Sequence, residues 1–98
     1  MVNLPAIVKA TRVSASALAA GQRLGREIED LQAEAARIEA RIGRAKTPCD
    51  RMEAQFLPAS LAGIRYAIAA KTRARRAAHT RWTNAQAVLA ANPLPGDR

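Results

Sequence analysis

The sequence predicts an all-α protein, an elongated antiparallel helical hairpin of the coiled-coil kind. Three observations predict it. Leu24, Ile28, Leu31, Ala35, Ile38 and Ile42 recur at 4-3-4-3-4 spacing, the period of an apolar seam on one side of a helix. Thr47-Pro48-Cys49-Asp50 joins a capping residue, a proline suited to the first helical position and an acid able to reach back to the cap, so the chain turns there. Beyond the turn, residues 59–91 contain no proline and are rich in alanine, which favours helix throughout.

The elements follow in order. Asn3-Leu4-Pro5 reads as a helix entry, because proline is tolerated in a first turn. Gly21 and Gly25 each disfavour helix by about 1 kcal/mol relative to alanine. The first arm is therefore expected as a short N-terminal helix, about 5–20, and a longer helix, about 22–46, with one uninterrupted helix as the alternative. Glu27, Glu34, Glu39 and Arg41 flank the seam, as charged residues flank coiled-coil seams. A short turn helix is expected at about 48–57. Pro58, which lacks an N–H and disfavours helix at Leu57, bounds it. The second arm then runs from about 59 to 91, and Asn92-Pro93 stops it, leaving 92–98 as a tail. The whole chain, 1–98, is read as a single helical domain.

Within the second arm Leu61, Ile64, Ile68, Trp82 and Leu89 fall in one sector of the helix. Beside it lies a sector of small residues, Gly63, Ala67, Ala70, Ala74, Ala77, Ala78 and Ala85, expected to let the seam of the first arm approach closely. Lys71 and Arg75 interrupt the large-residue sector at mid-helix, and local departures of this kind often mark function. With the fold point near residue 51, Lys71 is expected to face the region of Leu31, and Arg75 that of Glu27. Ala17, Gly21 and Gly25, four residues apart, suggest a close helix crossing or a break.

Charge is unevenly spread. The net charge is +8. Residues 1–26 carry Lys9, Arg12, Arg23 and Arg26 and no acid, whereas 27–53 carry seven acids against five bases. From Ala54 to Gly96 there is no acid at all, yet Arg65, Lys71, Arg73, Arg75, Arg76 and Arg81 lie there. Such a helix attracts anions over about 8–10 Å in physiological salt. The candidate anion or nucleic-acid contacts are therefore Arg65, Lys71, Arg73, Arg75, Arg76, His79 and Arg81. The bland reading of the same residues is a solvated face that pairs internally with Glu27, Glu29, Asp30 and Glu34. Trp82 beside Arg81 is a possible stacking platform for a base, but its sector assigns it to packing. Tyr66 lies outside that sector.

The classes excluded are clearer. One cysteine, Cys49, permits no intramolecular disulfide and fits a reducing compartment. It continues the phase of the Leu24–Ile42 seam, so a buried apolar thiol is expected. His79 is the single histidine and has no Cys or acid at ligand spacing, so no metal site, cofactor or catalytic residue is expected. No uncharged run approaches the ~18–20 apolar residues of a membrane span.

Aromatic residues make up only 3% of the chain, which leaves a thin core that gains from a partner surface. The expected function is that of a non-enzymatic helical interaction, adaptor or structural component. Its partners would be copies of itself or a larger assembly, for example a phage particle, secretion apparatus or inhibitor complex. The packing residues would be Leu24, Ile28, Leu31, Ile38, Ile42, Leu61, Ile64, Ile68, Trp82 and Leu89. The alternative is nucleic-acid binding through the Lys71–Arg81 face. A cytoplasmic location, or a particle assembled in the cytoplasm, is expected.

Overall fold

A computed structural model describes residues 3–93. They form three helices, α1 (Leu4–Arg44), α2 (Pro48–Glu53) and α3 (Leu57–Ala91), with no strand among the described residues. Helices α1 and α3 pack against each other as a helical hairpin.

Helix α1 begins where the Asn3 side chain accepts a hydrogen bond from the Ala6 backbone N–H at 3.1 Å, satisfying one of the first-turn donors that lack a helical partner. It then runs 41 residues without a break. The two-helix reading of the first arm is thus replaced by one helix. Gly25 is buried, and packing of the seam residues on either side of the two glycines, Ala17, Leu24 and Ile28, carries the helix through their weak propensity. Arg41 and Arg44 occupy the last turn of α1, where positive charge complements the helix dipole.

The turn is built as its residues dictate. Asp50 N–H donates to Thr47 Oγ1 at 3.0 Å, and Thr47 N–H donates to Asp50 Oδ2 at 3.3 Å, a reciprocal capping box with Pro48 at its start. Helix α2 ends at Glu53, shorter than expected, and α3 starts at Leu57 rather than at Ala59. Pro58 then sits in the first turn of α3, where a missing N–H costs nothing. Cys49 is exposed, contrary to the phase argument, because α1 has already ended at Arg44 and the seam's register does not cross the loop.

The chain divides into two compact units, each holding a stretch of both arms: Met1–Leu24 with Ala74–Arg98, and Gly25–Arg73. In the first, here the terminal unit, α1 contributes buried Ile7, Ala10, Ala17 and Leu24, with Val13, Ser14 and Gly21 half-buried. Helix α3 answers with buried Ala78 and Ala85 and half-buried Trp82, Gln86 and Leu89. Gln86 Nε2 donates to Ser14 Oγ at 2.7 Å, and the Asn3 N–H donates to Asn92 Oδ1 at 3.3 Å. These bonds set the two helix stretches antiparallel.

In the second, the turn unit, Ile28, Ala35 and Leu61 are buried. Leu31, Ile38, Ile42, Leu57, Ile64, Ile68 and Lys71 are half-buried. Two ion pairs flank it, an exposed one from Arg65 to Glu39 at 2.7 Å and a half-buried one from Lys71 to Glu27 at 2.8 Å.

The alternating three- and four-residue spacing extends through both long helices. On α1 it is Ile7, Ala10, Ser14, Ala17, Gly21, Leu24, Ile28, Leu31, Ala35, Ile38 and Ile42; on α3 it runs from Leu57 through Leu61, Ile64, Ile68, Lys71, Arg75, Ala78, Trp82, Ala85 and Leu89 to Asn92. Apart from Arg75, every one of these residues is buried or half-buried. The expected small-residue sector of α3 therefore divides. Ala78 and Ala85 belong to the seam itself, whereas Gly63, Ala74 and Ala77 are exposed. Much of the core is alanine methyl, which contributes less than the ~1.5–3 kcal/mol of a fully buried Leu or Ile.

Candidate functional site

The folded chain sorts charge by unit. Among the described residues the terminal unit holds Lys9, Arg12, Arg23, Arg75, Arg76 and Arg81 and no Asp or Glu. The turn unit holds Glu27, Glu29, Asp30, Glu34, Glu39, Asp50 and Glu53 beside its own bases. Internal neutralisation is thus possible within the turn unit, whereas Arg75, Arg76 and Arg81 of the terminal unit form no ion pair with a described residue.

The candidate basic residues separate accordingly. Arg65 and Lys71 are committed to the carboxylates of Glu39 and Glu27. The Lys71 pairing lies one helical turn from the expected register. Arg73, Arg75, Arg76, His79 and Arg81 are exposed. None of these four arginines forms an ion pair with a described residue. Side-chain hydroxyls along α3 turn inward on their own helix: Thr72 Oγ1 donates to the Ile68 carbonyl at 2.7 Å and Thr80 Oγ1 to that of Arg76 at 3.1 Å.

Trp82 is half-buried on the seam, and its ring lies against that of His79, with centroids 6.0 Å apart and an interplanar angle of 26°. Alongside them a notch of about 350 Å³ opens, lined by Leu18 and Gly21 of α1 and by Arg75, His79 and Trp82 of α3. Sequence reasoning named the α3 members, singled out Gly21 only as a close helix crossing or a break, and did not name Leu18. The signal was the glycine at a seam position, which leaves space opposite a large side chain.

Apolar side chains also stand exposed. Leu4, Val8, Leu18 and Val88 do so in the terminal unit, Met52, Phe56 and Tyr66 in the turn unit. Among the described residues no three His, Cys, Asp or Glu side chains are grouped to hold a metal ion. No helix there is long and apolar enough to cross a membrane. The chain matches no protein-family model, no curated protein and no solved structure.

Proposed function

We propose that the chain is a non-enzymatic helical interaction component that docks onto an acidic protein surface within a larger assembly, for example a phage particle, a secretion apparatus or an inhibitor complex. The observation that carries this reading is the composition of the terminal unit. Exposed Leu4, Val8 and Leu18 stand on the same stretch of α1 as Lys9 and Arg12, with no described acid in that unit. Apolar contacts supply the area and the bases select the sign of the partner. Self-association through the terminal unit would bring like charges together. A homo-oligomer would instead form through the turn unit, where Met52 and Phe56 are exposed and acids accompany the bases.

The test is affinity capture from the source organism's extract at moderate salt, combined with light scattering of the purified protein. A discrete acidic protein retained through moderate salt, or a fixed oligomer, supports the reading. A monomer that captures no protein overturns it.

Nucleic-acid binding is the second reading, favoured by the exposed Arg73, Arg75, Arg76 and Arg81. It requires affinity that falls steeply with salt, with a slope that decreases as these arginines are removed. Retention on heparin that disappears below physiological salt counts against it.

A further inference from the structure

We propose that the Arg75–Trp82 notch is a binding site for a planar aromatic group that carries an adjacent negative charge. The argument begins with the seam. Every seam position of α3 offers α1 either a buried or half-buried side chain, with one exception. Lys71, the other base on the seam, is satisfied by the Glu27 carboxylate at 2.8 Å. Arg75, one step further along, is exposed and has no ion-pair partner among the described residues.

On α1 the notch is flanked by a residue without a side chain. Gly21 lines the same notch, and a Cβ built there would meet nothing within 4 Å. The space is therefore real room rather than a glycine pressed against a neighbour. Leu18 and Gln22 line it from α1, and Trp82 and His79 from α3.

These groups specify a ligand chemically. The indole, half-buried and already stacked on His79, offers a flat π surface, on which another ring stacks. The Arg75 guanidinium is a planar fork suited to a carboxylate or phosphate. Leu18 covers apolar ring edges. A volume of about 350 Å³ falls at the small end of ligand pockets, enough for a fused two-ring system with one anionic group. With no acid among the described residues of its unit, the site repels cations and attracts anions. Two sources present this chemistry, an aromatic carboxylate and a nucleotide, and the probes distinguish them. The site does not depend on the identity of the protein partner proposed above.

The chain has one tryptophan, so a nitrogen–proton correlation spectrum contains one indole N–H resonance, that of Trp82. The purified full-length protein is titrated with naphthoate and with 5′-AMP, and in parallel with the neutral counterparts naphthamide and adenosine. Saturable displacement of the indole resonance is expected with at least one anionic probe, with binding about tenfold tighter than its neutral counterpart. Response to naphthoate alone, to 5′-AMP alone or to both supports the site and names its source. Arg75→Gln is expected to erase the advantage of the charged probe. Gly21→Leu is expected to block both charged and neutral probes by filling the notch, while circular dichroism shows undiminished helix. The proposal is overturned if no anionic probe moves the resonance. It is equally overturned if Arg75→Gln and Gly21→Leu leave the titrations unchanged, because the probe would then be seated elsewhere.

Discussion

Lys71 Nζ lies 2.8 Å from Glu27 Oε2, and both side chains remain about a third exposed. The pair occupies a seam position that a hairpin of this kind fills with an aliphatic residue. Its net contribution is small, because charges that stay in contact with water gain little from pairing. Its larger effect is on register, since moving Lys71 one turn toward the start of α1 would place it beside Arg23 and Leu24. A charge-swap cycle measures this. Lys71→Glu alone is expected to destabilise the protein by about 0.5–1 kcal/mol in urea unfolding, and adding Glu27→Lys is expected to restore most of the loss. Strict additivity of the two substitutions would mean that the pair does not couple α1 to α3.

Ala78 is fully buried, at 0% exposure, whereas its neighbour Ala77 is exposed. The two alanines lie side by side on α3 and differ only in what they face. Ala78→Leu forces a branched side chain into a fully buried position of the terminal unit and is expected to destabilise by about 1–3 kcal/mol. Ala77→Leu is expected to stay within about 0.5 kcal/mol of the parent. Thermal unfolding of both variants decides it, and equal effects would show that the seam does not pass through Ala78.

Gly21 provides the converse case. Its Cβ position is open, and its backbone is helical. Gly21→Ala is therefore expected to stabilise by about 0.4–1 kcal/mol through helix propensity and a less entropic unfolded chain. A loss of stability would mean that α3 comes closer to this point than the open space allows.

What the residues disclosed follows the size of the side chains. The stretch from Leu24 to Ile42 was legible because leucine and isoleucine mark each seam position. The stretch from Ile7 to Gly21 keeps the same spacing but fills it with Ala10, Ser14, Ala17 and Gly21, residues found equally on exposed faces, so periodicity alone could not separate them. The same ambiguity made Ala74 and Ala77 look like contact residues. Cys49 failed for another reason, since phase carries through a helix and not through a loop. The basic residues of the candidate site were legible as charge. Which of them find carboxylates depends on register, and one helical turn decides whether Glu27 meets Lys71 or Arg75. The notch was legible only in halves, because Gly21 and Trp82 are brought together by the packing of distant segments.

The docking reading makes its own demand on Leu4, Val8 and Leu18. All three are exposed, at 61%, 50% and 50%, so none contributes much to the folded state of the chain alone. Substituting each with serine is expected to leave unfolding stability within about 0.5 kcal/mol per site. Leu24, by contrast, is buried on the seam of the same helix. Leu24→Ala is expected to destabilise by about 2–3 kcal/mol through lost burial and the cavity left behind. The two sets thus separate folding from binding. If the terminal unit is the docking surface, the serine variants keep their melting temperature and lose the captured partner, while Leu24→Ala lowers the melting temperature first and loses the partner only as the protein unfolds. Serine variants that still capture the partner would remove these aliphatic residues from the interface. The contact would then rest on Lys9, Arg12 and the exposed arginines of α3, and raising salt would be enough to release it.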